Sequence, residues 1–172
     1  MHSIRAASTS DAPLLSELGA RLFEQALGRQ NAVEDMRLYL STAFSIDRWS
    51  TNLSNPAHRT WVADNPSGAA IGYAVLNKGP APAYLGATSA AEIARLYSDQ
   101  AWHGRGVGGA LMNACLDQAR AWKCDIAWLG VWVENARAIA FYEKHGFRVV
   151  GAQTFLLGTD VQHDHVMARR LD

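Results

Sequence analysis

His103-Gly104-Arg105-Gly106-Val107-Gly108-Gly109 decides the fold, because a strand-like run ends just before it and a helical pattern starts inside it. Four glycines in six positions let the backbone take positive φ and turn several N–H groups toward one point, with no Cβ to hold an anion off. The helix behind them adds its unpaired amino-terminal N–H groups and the positive end of its dipole. This reads as a phosphate-cradling turn. A linker would not lie between a buried-looking strand and a patterned helix. The stretch also lacks the Gly-Lys-Ser/Thr ending of a triphosphate loop, and no acidic ribose partner follows at the dinucleotide-fold distance.

Upstream, Ala91 to Tyr97 alternates as a strand does; downstream, residues 109–122 put Asn113, Asp117 and Arg120 on one wet helical face. The almost unbroken apolar run from Ile126 to Val133 suits a strand buried on both faces and parallel to its neighbour. Strand, helix and strand therefore make a right-handed βαβ unit. Asn135 is placed to cap a helix over 136–144, which His145-Gly146 closes. Phe147 to Gly151 and Gln153 to Leu157 read as two further strands, and Gln162 to Ala168 as the last, turned by Gly158-Thr159-Asp160.

Toward the amino terminus a short strand at Ile4 to Ala6 precedes a helix capped by Asp11 or Ser10, with Pro13 in its first turn and a stripe of Leu14, Leu15, Leu18 and Leu22. Helices are expected around Val33 to Leu40 and Ile46 to Leu53. Thr60 to Ala63 and Ala70 to Leu76 flank a hairpin turn at Asp64 to Gly68, and Lys78 to Thr88 is a loop.

The chain's 172 residues, 49% of them hydrophobic, suit a single domain over 1–172. Sixteen basic and sixteen acidic residues cancel, so no overall field favours nucleic acid or an anionic membrane. No stretch approaches the roughly 20 apolar residues that span a bilayer, and Met1 to Arg5 leads into no apolar signal core. Cys115 and Cys124 lie on and just after the helix expected over 109–122, more than two turns apart, so they cannot bridge each other if that helix forms. A cytoplasmic location follows as the expectation.

Two segments resemble the GNAT superfamily of acetyl-coenzyme A-dependent N-acetyltransferases. His103-x-x-Gly106-x-Gly108 is similar to the superfamily's Arg/Gln-x-x-Gly-x-Gly/Ala pyrophosphate loop, and Asn135 to Phe147 is similar to its Asn-x-x-Ala-x-x-x-Tyr-x-x-x-Gly-Phe segment. Leu129-Gly130-Val131-Trp132 and Phe155-x-x-Gly158-x-x-x-Gln162-x-Asp164-x-x-Met167 resemble the PaiA-type spermidine/spermine acetyltransferases. The resemblance implies an α/β (α+β) fold: a mixed, mostly antiparallel sheet with a parallel pair splayed around the cofactor and helices on both faces. It also implies acetyl transfer to a small-molecule amine, a polyamine among the candidates. Protein or peptide acetylation and a non-catalytic acetyl-coenzyme A sensor are the alternatives.

By the same resemblance, Leu96, Tyr97 and Ser98 pair the pantetheine arm as an added strand, and His103, Gly104, Arg105, Gly106, Val107, Gly108 and Gly109 hold the pyrophosphate. His103 stands where Arg or Gln is usual, so a fixed charge is missing unless Arg105 supplies it. Asn135 and Tyr142, seven residues and about 10 Å apart on one helix face, would contact the pantetheine and protonate the departing sulfur respectively. Without the resemblance Tyr142 is a packing residue with its hydroxyl on a carbonyl. Glu92 is either the base, on the face shared with Ala94 and Leu96, or a strand-end carboxylate paired with Arg95 or a lysine. His163 and His165 lack a third ligand for a metal, and no metal is expected. Trp128 and Trp132 read as core, while Trp49, Trp61 and Trp102 are available to line an acceptor pocket. Glu24, Glu34 and Asp35 are the carboxylates expected on the acceptor side, and apolar residues near the carboxyl terminus could pair strands across a homodimer.

Overall fold

A computed structural model describes residues 1–172. Seven strands, β1 (Ser3–Ala6), β2 (His58–Asp64), β3 (Ala70–Gly79), β4 (Ala90–Ser98), β5 (Ile126–Trp132), β6 (Arg148–Leu157) and β7 (Asp160–Arg170), form one sheet in the order β1-β2-β3-β4-β5-β7-β6. Every neighbouring pair is antiparallel except β4 with β5. Helices α1 (Ala12–Leu27), α2 (Val33–Ala43) and α3 (Ile46–Ser54) pack with Val62, Tyr73 and Val75 on one face. Helices α4 (Val107–Ala121) and α5 (Ala136–Lys144) cover Ala63, Ala74, Leu76 and Leu129 on the other. This is the mixed, helix-flanked sheet that the resemblance implied.

The buried stripe of α1 is Ala12, Leu15, Leu18, Gly19, Leu22, Phe23 and Leu27. Leu14 is left 38% exposed, because it falls just beyond the edge of the buried arc, which is centred near Leu15 and Gly19. The chain enters α1 through a 3₁₀ turn at Thr9–Asp11. Asp11 stands at the N-cap of α1, as expected, but its side chain turns back to the 3₁₀ turn that Ser8 caps: the Ser8 N–H donates to Asp11 Oδ2 at 2.8 Å, and Asp11 also pairs with Arg5.

Residues 148–157 are one strand, not two. Val149 faces Met167 and Gly151 faces Val166, leaving Val150 as the extra residue of a bulge. The bulge shifts the in–out phase of the strand, and that phase break imitates a strand boundary. The β6–β7 turn is anchored on α2: the Asp35 carboxylate accepts from the Thr159 N–H at 2.7 Å and from its hydroxyl at 2.8 Å.

Candidate active site

The parallel seam is short. Strands β4 and β5 pair only at Ala90–Ile126, Ala91–Ala127 and Glu92–Trp128; beyond these β4 continues on β3 as far as Ser98, and β5 on β7 as far as Trp132. The facing edges of residues 93–98 and 129–132 therefore carry backbone groups without a strand partner, in a cleft of about 1280 Å³ that both strands line. A bulge opens the seam. Val75 faces Arg95 and Leu76 faces Ile93, so Ala94 is the extra residue of β4.

That bulge changes which side chains share a face. Ile93 and Leu96 pack toward α4 and α5, whereas Tyr97 packs with the α1–α3 cluster, and Arg95 lies over the Phe44 ring in that cluster at 4.3 Å. Glu92 points the same way as Arg95 and Tyr97, because it stands opposite Asn77, which shares a β3 face with Tyr73 and Val75. The expected company of Ala94 and Leu96 is overturned by the one inserted residue.

Beyond β4 the chain turns through the glycine loop. Two of its four glycines need left-handed backbone, Gly104 at φ 75° and Gly106 at φ 84°; Gly108 and Gly109 lie in the first turn of α4. Gly108 serves packing: a Cβ there would lie 3.3 Å from the Phe141 ring on α5. Gly106 caps α4 without a side chain, leaving the amino-terminal N–H groups of the helix open to the cleft that Gly104, Gly106, Gly108 and Gly109 line.

The His103 Nε2 lies 3.0 Å from the Ser98 carbonyl, which can only accept, so Nε2 carries a proton. In a neutral ring Nδ1 is then an acceptor, and only the protonated ring offers a second donor to an anion. Arg105 is turned away. Its guanidinium sits 5.0 Å from the centre of the Trp102 ring, and it is absent from the cleft lining.

Asn135 caps α5, its Oδ1 accepting from the Ala138 N–H at 3.2 Å, which leaves the side-chain NH₂ for the cleft. Tyr142 follows two turns on, buried with its ring edge-on to Phe141 and Phe147 and yet part of the cleft wall. No carbonyl takes its proton, and burial, with Tyr97 and Cys115 nearby, drives its pKa far above the ordinary phenol value.

On the α1–α3 side, Glu92 is flanked by Asn77 on β3 and Trp128 on β5, and Asn77 by His58 on β2. His58 Nδ1 lies 3.0 Å from Asn52 Nδ2, and burial lowers its pKa. Burial alone raises the pKa of Glu92; it pairs with neither Arg95 nor a lysine. Asp164 joins this wall from β7, its pKa raised by burial against an opposing bond from Gln153. The expected acceptor-side carboxylates are elsewhere: Glu34 pairs with Arg37, Asp35 holds the β6–β7 turn, and Glu24 is exposed outside the lining. Trp49 and Trp102 line the cleft, but Trp61 packs on the opposite face.

Arg95, Asn77, His58 and Asp164 were not singled out by sequence reasoning as site residues. One signal was available: Glu92 and Arg95 are two charges in a strand that is otherwise apolar and central, where a charge needs a reason. No three His, Cys, Asp or Glu side chains are grouped to hold a metal ion.

The model of the acetyltransferase (GNAT) family matches residues 21–147. An uncharacterised N-acetyltransferase of Mycobacterium bovis is 33% identical over 162 residues, covering 94% of this chain and 99% of the relative. The N-alpha-acetyltransferase RimI of Mycobacterium tuberculosis is 30% identical over 133 residues, 73% of this chain and 78% of that protein. Among solved structures, the PaiA N-acetyltransferase of Thermoplasma acidophilum in complex with coenzyme A superposes with a TM-score of 0.80 at 19% identity, over 99% of both chains, a likeness of fold.

Proposed function

The chain belongs to the GNAT family of acetyltransferases and is an acetyl-coenzyme A-dependent N-acetyltransferase, and we propose that it moves the acetyl group directly to a primary amine of a small molecule in the gap between β4 and β5. The observation that carries this reading is the pair of unpaired strand edges facing each other across that gap. An extended chain with alternating amide groups, such as a pantetheine arm, fits there as an added strand on Leu96, Tyr97 and Ser98. Backbone donors of residues 103–109 receive the pyrophosphate, with Arg105 contributing least because it faces Trp102. The Asn135 side-chain NH₂ faces the arm.

In the transfer, the amine lone pair attacks the thioester carbonyl carbon; the C–N bond forms and the C–S bond breaks. Glu92 takes the amine proton, directly or through one water, and burial suits it by raising its proton affinity toward that of a useful base. Tyr142 gives its proton to the thiolate and regains one from solvent. Burial keeps the Tyr142 phenol protonated across the working range, so the proton is present when the thiolate leaves.

The polyamine acceptor implied by the carboxyl-terminal resemblance requires a carboxylate-rich acceptor wall. Glu92 and Asp164 are there, but so are Arg48 and Arg95. A second reading, acetylation of a protein α-amino group, draws on the similarity to RimI. No helix is long and apolar enough to cross a membrane, and the two unpaired, buried cysteines suit a reducing compartment, so we place the enzyme in the cytoplasm. Thiol release from acetyl-coenzyme A, measured with small amines, spermidine and alanine-terminated peptides, tests the proposal. Turnover highest with a small amine supports it; turnover with peptides alone favours the second reading; tight acetyl-coenzyme A binding with no turnover marks a sensor.

A further inference from the structure

We propose that the acceptor amine also carries a carboxylate, and that Arg95 is the residue that binds it. This rests on the acetyl-transfer reading above. Arg95 follows the β4 bulge and points into the acceptor half of the cleft, its guanidinium over Phe44 and bordered by Tyr39, Tyr73 and Tyr97. It is mostly buried, and no protein carboxylate answers it. The ion pairs of the chain are Arg5 with Asp11 and Asp64, Arg21 with Asp99, Arg37 with Glu34, and Arg120 with Asp117. An arginine cannot shed its charge, so a mostly buried one without a counter-charge is costly unless something from the cleft completes it.

The surroundings define what that something is. The Tyr39 hydroxyl, on the cleft wall and within hydrogen-bonding reach of the same guanidinium, supplies a further donor. A planar fork of N–H groups with a hydroxyl beside it matches a carboxylate. One buried cation balances one negative charge, whereas a phosphate dianion would leave an excess among the aromatic rings of Phe23, Tyr39 and Phe44. Glu92 stands three residues earlier on the same face; at about 3.3 Å per residue their Cα atoms are no more than about 10 Å apart. An amine delivered to Glu92 and a carboxylate delivered to Arg95 thus belong to one small molecule, as in a free amino acid. A polycation has no use for an unpaired guanidinium at this position.

The test compares acceptors that differ only in that charge. With saturating acetyl-coenzyme A, thiol release is followed for phenylalanine against phenylalaninamide, glycine against glycinamide, aminomethylphosphonate, and spermidine. The amides hold the less basic, more readily deprotonated amine, so chemistry alone favours them. The expected result is kcat/KM at least about tenfold higher for the carboxylate member of a pair, mainly through KM. In Arg95→Gln the carboxylate member falls by about tenfold or more while the amide changes little and acetyl-coenzyme A affinity is kept; Arg95→Lys retains part of the preference. If Arg95→Gln does not fold, the wild-type pairs decide. Equal turnover of both members, or preference for spermidine, overturns the inference and leaves acetyl transfer standing; preference for the phosphonate overturns the choice of carboxylate. Failure to bind acetyl-coenzyme A at all removes the transfer reading itself.

Discussion

Glu92 faces Trp128 across the last rung of the parallel seam, and the strands part immediately beyond them. The carboxylate therefore sits at the vertex of the gap, on the face that carries Arg95 and Tyr97. Replacing it should separate stability from activity. Burial raises its pKa, so the folded state holds the proton more tightly than the unfolded chain does. Stability then falls as pH rises from the ordinary carboxylate range through the raised value, and at neutral pH the ionised group opposes folding. Glu92→Gln is expected to raise the melting temperature at pH 7 while lowering kcat by about 10²–10⁴. In the wild type the acid limb of the kcat/KM profile should lie above the ordinary glutamate range. Thermal melts and a pH–rate profile check both points.

Tyr142→Phe keeps the ring that packs on Phe141 and Phe147 and removes only the donor. Turnover should fall by about 10²–10⁴ with acetyl-coenzyme A affinity almost unchanged, as read by initial rates and calorimetry. A loss of affinity with turnover intact would assign Tyr142 to binding.

Gly106 holds φ 84° at the start of α4, with open space around it apart from the His2 ring. Gly106→Val would strain the backbone by about 1–2 kcal/mol and project a branched side chain over the helix amino terminus. The protein should remain folded by circular dichroism and bind acetyl-coenzyme A at least about tenfold more weakly. Arg105→Ala, which removes a side chain stacked on Trp102, should change that affinity by no more than about threefold.

Gly72 is a packing glycine of β3: a Cβ there would lie 2.9 Å from the Tyr97 carbonyl oxygen and 3.3 Å from Leu111. Gly72→Ala must push β4 or α4 outward. The expected cost is about 1–3 kcal/mol, measurable by urea denaturation.

What the sequence made legible is what lies in contiguous stretches. The glycine loop, the Asn135-to-Phe147 segment and the β4–α4–β5 unit each carry their pattern locally, and the observed elements fall within about two residues of those expected. The bulge at Ala94 was not legible, because a small neutral residue inserted into an alternating run leaves the alternation looking whole; that single residue moved Glu92 to the other face. The break in phase at Val150 had the opposite effect and split one strand into two. The acceptor wall depends on contacts far apart in sequence, such as Asp35 with Thr159 and Asn31 with Gln162, which no local spacing announces. Glu24, Glu34 and Asp35 were expected near the acceptor because they are charged and in the right region, and each is committed elsewhere or turned to solvent.

Amide hydrogen exchange with and without acetyl-coenzyme A tests the central claim, that the split between β4 and β5 receives the thioester arm. Saturating cofactor is expected to slow exchange along Ile93 to Ser98 and over Gly104 to Gly109, with little change in β1 and β2 at the far edge of the sheet. Full occupancy by calorimetry with no protection along Ile93 to Ser98 would contradict it.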